Sequence, residues 1–140
     1  MTPLSAALIG TWELMSREDR NQAGARIPDP VLGDDPVGLL FYDRAGRFGL
    51  QLMKRERKAL SAPADACSGR GYDAYFGTYR VDDERGVVTQ TLQAALSAES
   101  LGQVVTREMS VVGDTLTIRL NAASVHGEAV MRILRWRRLS

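Results

Sequence analysis

Residues 103–120 read QVVTREMSVVGDTLTIRL, and this stretch decides the fold. Two β-type runs, 103–112 and 115–120, meet across Gly113 and Asp114. A glycine-first pair suits the type II′ turn of a two-residue hairpin. In the second run Leu116, Ile118 and Leu120 alternate with Thr115, Thr117 and Arg119, the period of a strand with one face buried and one in solvent. The fold is therefore sought among antiparallel β architectures.

Working outward, the same punctuation recurs. Residues 75–82 (YFGTYRVD) and 87–94 (VVTQTLQA) flank Asp83, Glu84, Arg85 and Gly86, and read as a hairpin. Residues 37–42 (VGLLFY) and 47–54 (RFGLQLMK) flank Asp43, Arg44, Ala45 and Gly46, with glycine at the fourth position as a type I turn prefers. Residues 10–17 (GTWELMSR) and 128–139 (EAVMRILRWRRL) supply a first and a last strand, making eight. Eight strands close a barrel around side chains or one small ligand, and closure removes the free edges on which sheets aggregate. The expected fold is all-β: an eight-stranded antiparallel up-and-down barrel with a short N-terminal helix at residues 3–8. Proline suits a first helical position there, and Leu4, Leu8 and Ile9 can plug one end.

A chain of 140 residues is the size of one domain, so residues 1–140 are read as a single unit. Eighteen Lys plus Arg balance 17 Asp plus Glu, which leaves no field to attract nucleic acid or an anionic membrane. The one cysteine, Cys67, permits no internal disulfide, and the N-terminus lacks a basic region ahead of its short apolar stretch. A cytoplasmic location fits both. No run approaches a membrane span. The long connections at 18–36 and 55–72 are of a length that tends to be functional, the second reading as a mobile lid.

Four motifs in order along the chain resemble the bacterial lipocalin-like domain family: GTW at 10–12, DPVGLLFYDRAGRFGLQLM at 35–53, GYDAYFGTYRVD at 71–82 and RWRRL at 135–139. The resemblance implies a calycin-type barrel, with some relatives found beside small-molecule biosynthetic pathways. It brings no catalytic motif that transfers onto these residues. It also implies that Trp12 packs at the closed end against an arginine of the last strand, one of Arg135, Arg137 and Arg138, with Arg137 the first choice; an indole face attracts a guanidinium.

If the interior carries the function, the candidate ligand contacts are Tyr42, Gln51, Met53, Tyr75, Tyr79 and Met109. Tyr75, Tyr79 and Val81 are expected to point inward. In residues 47–54 two faces compete, Phe48, Leu50 and Leu52 against Gly49, Gln51 and Met53, and in the second case Gln51 is a buried amide that a ligand can satisfy. Tyrosine in a barrel wall also packs for its own sake. His126, in the loop NAASVHGE, is a candidate general base if it sits at the barrel mouth, and otherwise a solvated loop residue. Cys67 has no acid or histidine partner placed beside it and reads as incidental; the basic run KRERK at 54–58 is interrupted by Glu56 and reads as solvated.

Phosphate-loop, Rossmann, zinc-cluster and HExxH patterns are all missing from the sequence, so neither cofactor nor metal is expected. Three functions follow: a carrier or sensor of a small, largely hydrophobic molecule; a cofactor-free cyclase or isomerase using the same cavity, with Tyr79, Gln51 or His126 polarising a carbonyl or moving a proton; and a structural domain with a filled core. Residues 37–42 and 47–53 are apolar on both faces, so something should cover their outside: the N-terminal segment, a long loop, or a second copy in a homodimer.

Overall fold

The computed structural model describes residues 2–57 and 71–140. The expected lid at 55–72 lies largely outside these residues, as do Cys67 and the end of the KRERK run.

Strands β1 (Gly10–Arg20), β3 (Val37–Tyr42), β4 (Arg47–Met53), β5 (Tyr72–Asp82), β6 (Val87–Ala95), β7 (Val104–Val112), β8 (Thr115–Ala123) and β9 (Ala129–Arg138) follow one another around an antiparallel up-and-down barrel. Pairing of β1 with β9, from Trp12 opposite Arg138 to Arg20 opposite Met131, closes it. A two-residue strand, β2 (Arg26–Ile27), pairs with the end of β1 outside the closed ring. The first strand thus runs three residues beyond the expected 10–17, because β9 and β2 both offer it partners there.

Local chemistry explains the turns. Val112 pairs with Thr115, so Gly113 and Asp114 are the whole loop. Gly113 has φ +60°, and Asp114 is not among the positive-φ residues, as a type II′ turn requires. In the β5–β6 pair the register slips between Phe76 and Gly77. A side chain at Gly77 would place its Cβ 1.8 Å from the Thr91 carbonyl oxygen, so this bulge admits only glycine.

The N-terminal helix α1 (Leu4–Ala7) is shorter than expected, with Pro3 as its cap residue. It closes one end of the barrel. Leu8 and Trp12 are fully buried beneath it, and the Trp12 indole N–H donates to the Leu8 carbonyl at 3.0 Å. The guanidinium over Trp12, 4.3 Å from the ring centroid, belongs to Arg138 and not to Arg137. Period-two geometry is the reason: Arg138 shares the inner face of β9 with the buried Trp136, whereas Arg137 turns outward to Glu13 at 3.4 Å.

The ambiguous face of β4 is resolved as well. Phe48, Leu50 and Leu52 point into the core, so Gln51 and Met53 lie outside the barrel. Gly49 also lies outside, beneath the Phe41 ring, where a Cβ would come within 2.3 Å of that ring. Bulk goes inward on this strand because the outer position is already filled by Phe41. Leu39, Phe41, Phe76 and Leu96 remain exposed around an apolar groove of about 410 Å³ on the outer wall. Neither α1 nor the 21–36 connection lines it.

Candidate functional site

The interior of the barrel holds a cavity of about 210 Å³. Its wall is mostly apolar, with Leu40, Leu50, Tyr75, Leu92, Val105, Ile118 and Leu134 contributed by seven of the eight strands of the ring. A short polar chain is set into this wall. Gln90 Nε2 donates to the Tyr42 hydroxyl at 2.6 Å, and the hydroxyl faces Met109 Sδ at 3.8 Å. Among the described residues, two buried atoms of the cavity-lining side chains have no partner: Gln90 Oε1, an acceptor, and Trp136 Nε1, a donor. Buried polar atoms are nearly always satisfied, so an acceptor on β6 and a donor on β9 left without a partner among the described residues are a specific feature.

Toward the open end the lining becomes charged, and a backbone irregularity is the cause. Strict alternation from the buried Trp12 and Leu14 would turn Arg17 outward. The β-bulge between Leu14 and Ser16 reverses the parity, and Arg17 and Asp19 both face in. Arg17 binds Asp29 at 2.6 Å, and Arg132 grips Asp19 through two hydrogen bonds at 2.8 and 3.0 Å. Asp29 also accepts from the Val31 N–H at 2.8 Å, which turns the connection inward and drops Leu32, almost fully buried, across the opening. Above Leu32 the channel widens into a vestibule of about 580 Å³ that shares Arg17, Leu32, Asp73 and Arg132 with the interior.

The third acid of this rim behaves differently. Asp73 makes no ion pair with any described residue; its hydrogen-bond donor is the Ala74 N–H. Burial raises its proton affinity, opposed by the Ala74 N–H and by the charges of Arg17 and Arg132, and the net shift is upward. Burial likewise works to raise Asp29, yet the Val31 N–H and the Arg17 guanidinium outweigh it and hold that carboxyl below its ordinary range. Burial raises both the Tyr42 and Tyr75 hydroxyls, so each is a neutral donor at physiological pH. Arg17 is shifted down by burial, but a guanidinium stays charged throughout.

Of the residues expected at the site, Tyr42 and Tyr75 line the interior, and Met109 is buried beside the Tyr42 hydroxyl. Tyr79 is packed edge-on to Tyr42 at 4.9 Å, and its hydroxyl donates to the Asp43 carbonyl at 2.6 Å, at the closed end away from the cavity. Gln51 accepts from the Tyr72 hydroxyl at 3.0 Å on the outside, and Met53 is outside with it. His126 is an exposed turn residue whose side chain lines neither the interior nor the vestibule. The cavity gathers instead Arg17, Asp73, Gln90, Arg107 and Arg132, which sequence reasoning did not single out. Three of them carried a readable signal. Asp73 shares the parity of Tyr75, Arg107 that of Met109, and Arg132 that of Trp136. Among the described residues, no three His, Cys, Asp or Glu cluster closely enough to hold a metal ion.

The family model described as a lipocalin-like domain matches residues 9–139. The search of curated proteins finds no match.

Proposed function

The chain belongs to the lipocalin-like domain family, and from that premise we propose that it binds a small molecule with an apolar body and at least one hydrogen-bonding group inside the barrel. The observation that carries this reading is that two residues lining the mostly apolar interior, Gln90 and Trp136, each hold a buried polar atom, Oε1 and Nε1, with no partner among the described residues. A buried polar atom without a partner costs about 1–3 kcal/mol, and a ligand carrying both a donor and an acceptor recovers that cost twice. An interior of about 210 Å³ is smaller than the ~300–1,000 Å³ typical of drug-sized ligands. The bound body is therefore one or two rings in size, with any longer portion reaching past Leu32 into the vestibule. Relative to a purely hydrophobic cargo, the structure favours a ligand with a polar end.

Fluorescence titration with 1-anilinonaphthalene-8-sulfonate tests the site, comparing the native protein with Ile118→Trp, which fills the cavity. One equivalent of enhanced emission in the native protein, lost in the variant with its far-UV spectrum unchanged, is the expected result. Equal binding by both would put the probe on the outer groove and sink the reading.

No helix among the described residues is long and apolar enough to cross a membrane. With a single cysteine in 140 residues, operation in the reducing cytoplasm belongs to the same proposal. So does assembly as a homodimer. Among the described residues the groove around Phe41 and Phe76 has no charged lining residue to select an unlike partner, and a two-fold copy covers it with its own apolar surface.

A further inference from the structure

Four carboxylates line the interior or its vestibule, and three have a partner that the fold explains; Glu99 accepts from the Ser97 hydroxyl. Asp19 is gripped by Arg132, and Asp29 ties Arg17 to the turn that carries Leu32. Among the described residues Asp73 has neither an arginine of its own nor a loop to hold. It stands on the inner face of β5 opposite Leu52, where it lines the interior and the vestibule together.

We propose that Asp73 is a catalytic base of this cavity, and that the barrel is a cofactor-free proton-transfer enzyme acting on a small carbon acid such as a ketone with an activated C–H bond. This inference rests on the cavity being a ligand site.

The geometry supplies each part. Asp73 faces the space where a ligand body lies. Arg17 and Arg132 are close enough for their charges to act on it, yet both are anchored by other acids, so neither collapses onto Asp73 and neutralises it. The charged groups around it are Arg17 and Asp19 from β1, Asp29 from the connection, Glu99, Arg107 from β7 and Arg132 from β9, while β4 presents only Leu52. In the reaction the carboxylate takes the proton from the carbon next to the carbonyl. The C–H bond breaks and an O–H bond forms on Asp73, and the electron pair moves onto the carbonyl oxygen as an enolate. The guanidinium charges and the neutral Tyr75 hydroxyl stabilise that oxygen. With a β,γ-unsaturated ketone the enolate is a dienolate, and return of the same proton to its γ-carbon completes an isomerisation with nothing gained or lost. A partly buried carboxylate with raised proton affinity is the stronger base for this step.

The test uses 5-nitrobenzisoxazole, a compact carbon acid. Removal of the C3 proton sends the electron pair into a forming nitrile, breaks the N–O bond and releases a coloured phenolate. Probe binding is read from tryptophan quenching and turnover from absorbance, for the native protein, Asp73→Asn and Asp73→Glu. General-base catalysis is worth about 10²–10⁴-fold. We expect Asp73→Asn to lose at least about 100-fold in kcat with KM little changed. We also expect the native rate to rise with pH through one ionisation above the ordinary carboxylate range, and Asp73→Glu to restore part of it. Quenching without acceleration over acetate, or an unchanged rate in Asp73→Asn, overturns the role of Asp73 alone. No quenching in the native protein overturns the ligand site itself, and this inference with it.

Discussion

Replacing each tryptophan in turn by phenylalanine is expected to give two unequal losses of stability. Trp12 and Trp136 are buried to the same degree, so the packing lost on truncating the indole is of the same kind at both positions. The difference lies in the N–H. At Trp12 the substitution removes the hydrogen bond to the Leu8 carbonyl and weakens the stack under Arg138, losses of about 1–3 and about 0.5–1 kcal/mol. At Trp136 it removes a donor with no acceptor, which relieves a penalty of about 1–3 kcal/mol. The two variants should therefore differ by at least about 2.5 kcal/mol, with Trp12→Phe the weaker protein. Urea unfolding followed by far-UV circular dichroism reads this directly. At an m-value of about 1–3 kcal/mol per molar, the two midpoints separate by at least about 1 M. Equal losses, or a larger one for Trp136→Phe, would mean that the Trp136 N–H has a partner in the empty barrel, such as an enclosed water, and the argument from an open donor would fail.

Four further outcomes follow from other contacts of the fold. Gly10 has φ +142° and a Cβ there would meet the Ser140 carbonyl oxygen at 2.3 Å, so Gly10→Ala should cost about 2–3 kcal/mol, seen as a lowered thermal midpoint. Asp29→Asn leaves the buried Arg17 without its counter-charge and should cost about 3 kcal/mol at neutral pH. Because the folded-state pKa of Asp29 is depressed, its contribution is present above the ordinary carboxylate pKa and fades as pH falls through the folded value. The gap between native protein and variant should accordingly close in acid. Asp73 has the opposite sign: its raised pKa makes stability fall as pH rises from the ordinary carboxylate value through the folded one, a slope that Asp73→Asn should flatten. Light scattering at micromolar concentration should give twice the chain mass for the native protein and a monomer for Phe41→Ser with Phe76→Ser; a monomeric native protein removes the dimer.

The barrel was legible wherever glycine and alternation agreed. The Gly113 and Asp114 turn fixes β7 against β8, and Leu116, Ile118 and Leu120 mark the inner face with no competing apolar set. Alternation failed where both faces are apolar. In β4 either parity satisfies hydrophobicity, and the choice is made by Phe41 of the neighbouring strand lying over Gly49, a cross-strand contact that one strand's pattern does not contain. That is why Gln51 and Met53 are mistaken as interior residues. It failed again in β1, where a bulge beside Met15 turns Arg17 and Asp19 inward and no local residue announces it. The site was half readable for a related reason. Asp73, Arg107 and Arg132 follow from extending the parity of Tyr75, Met109 and Trp136, but which of the rim acids is left unpaired depends on Asp29 and Asp19 reaching their arginines across the ring.

Native mass spectrometry of the protein purified from its own host, before and after exposure to extract of that host, tests most directly whether a small molecule occupies the barrel. The predicted result is a stoichiometric adduct that is released on denaturation, carries both an apolar body and a hydrogen-bonding group, and is lost in Ile118→Trp. A mass equal to the polypeptide alone in both states, or an adduct that survives filling of the cavity, would contradict it.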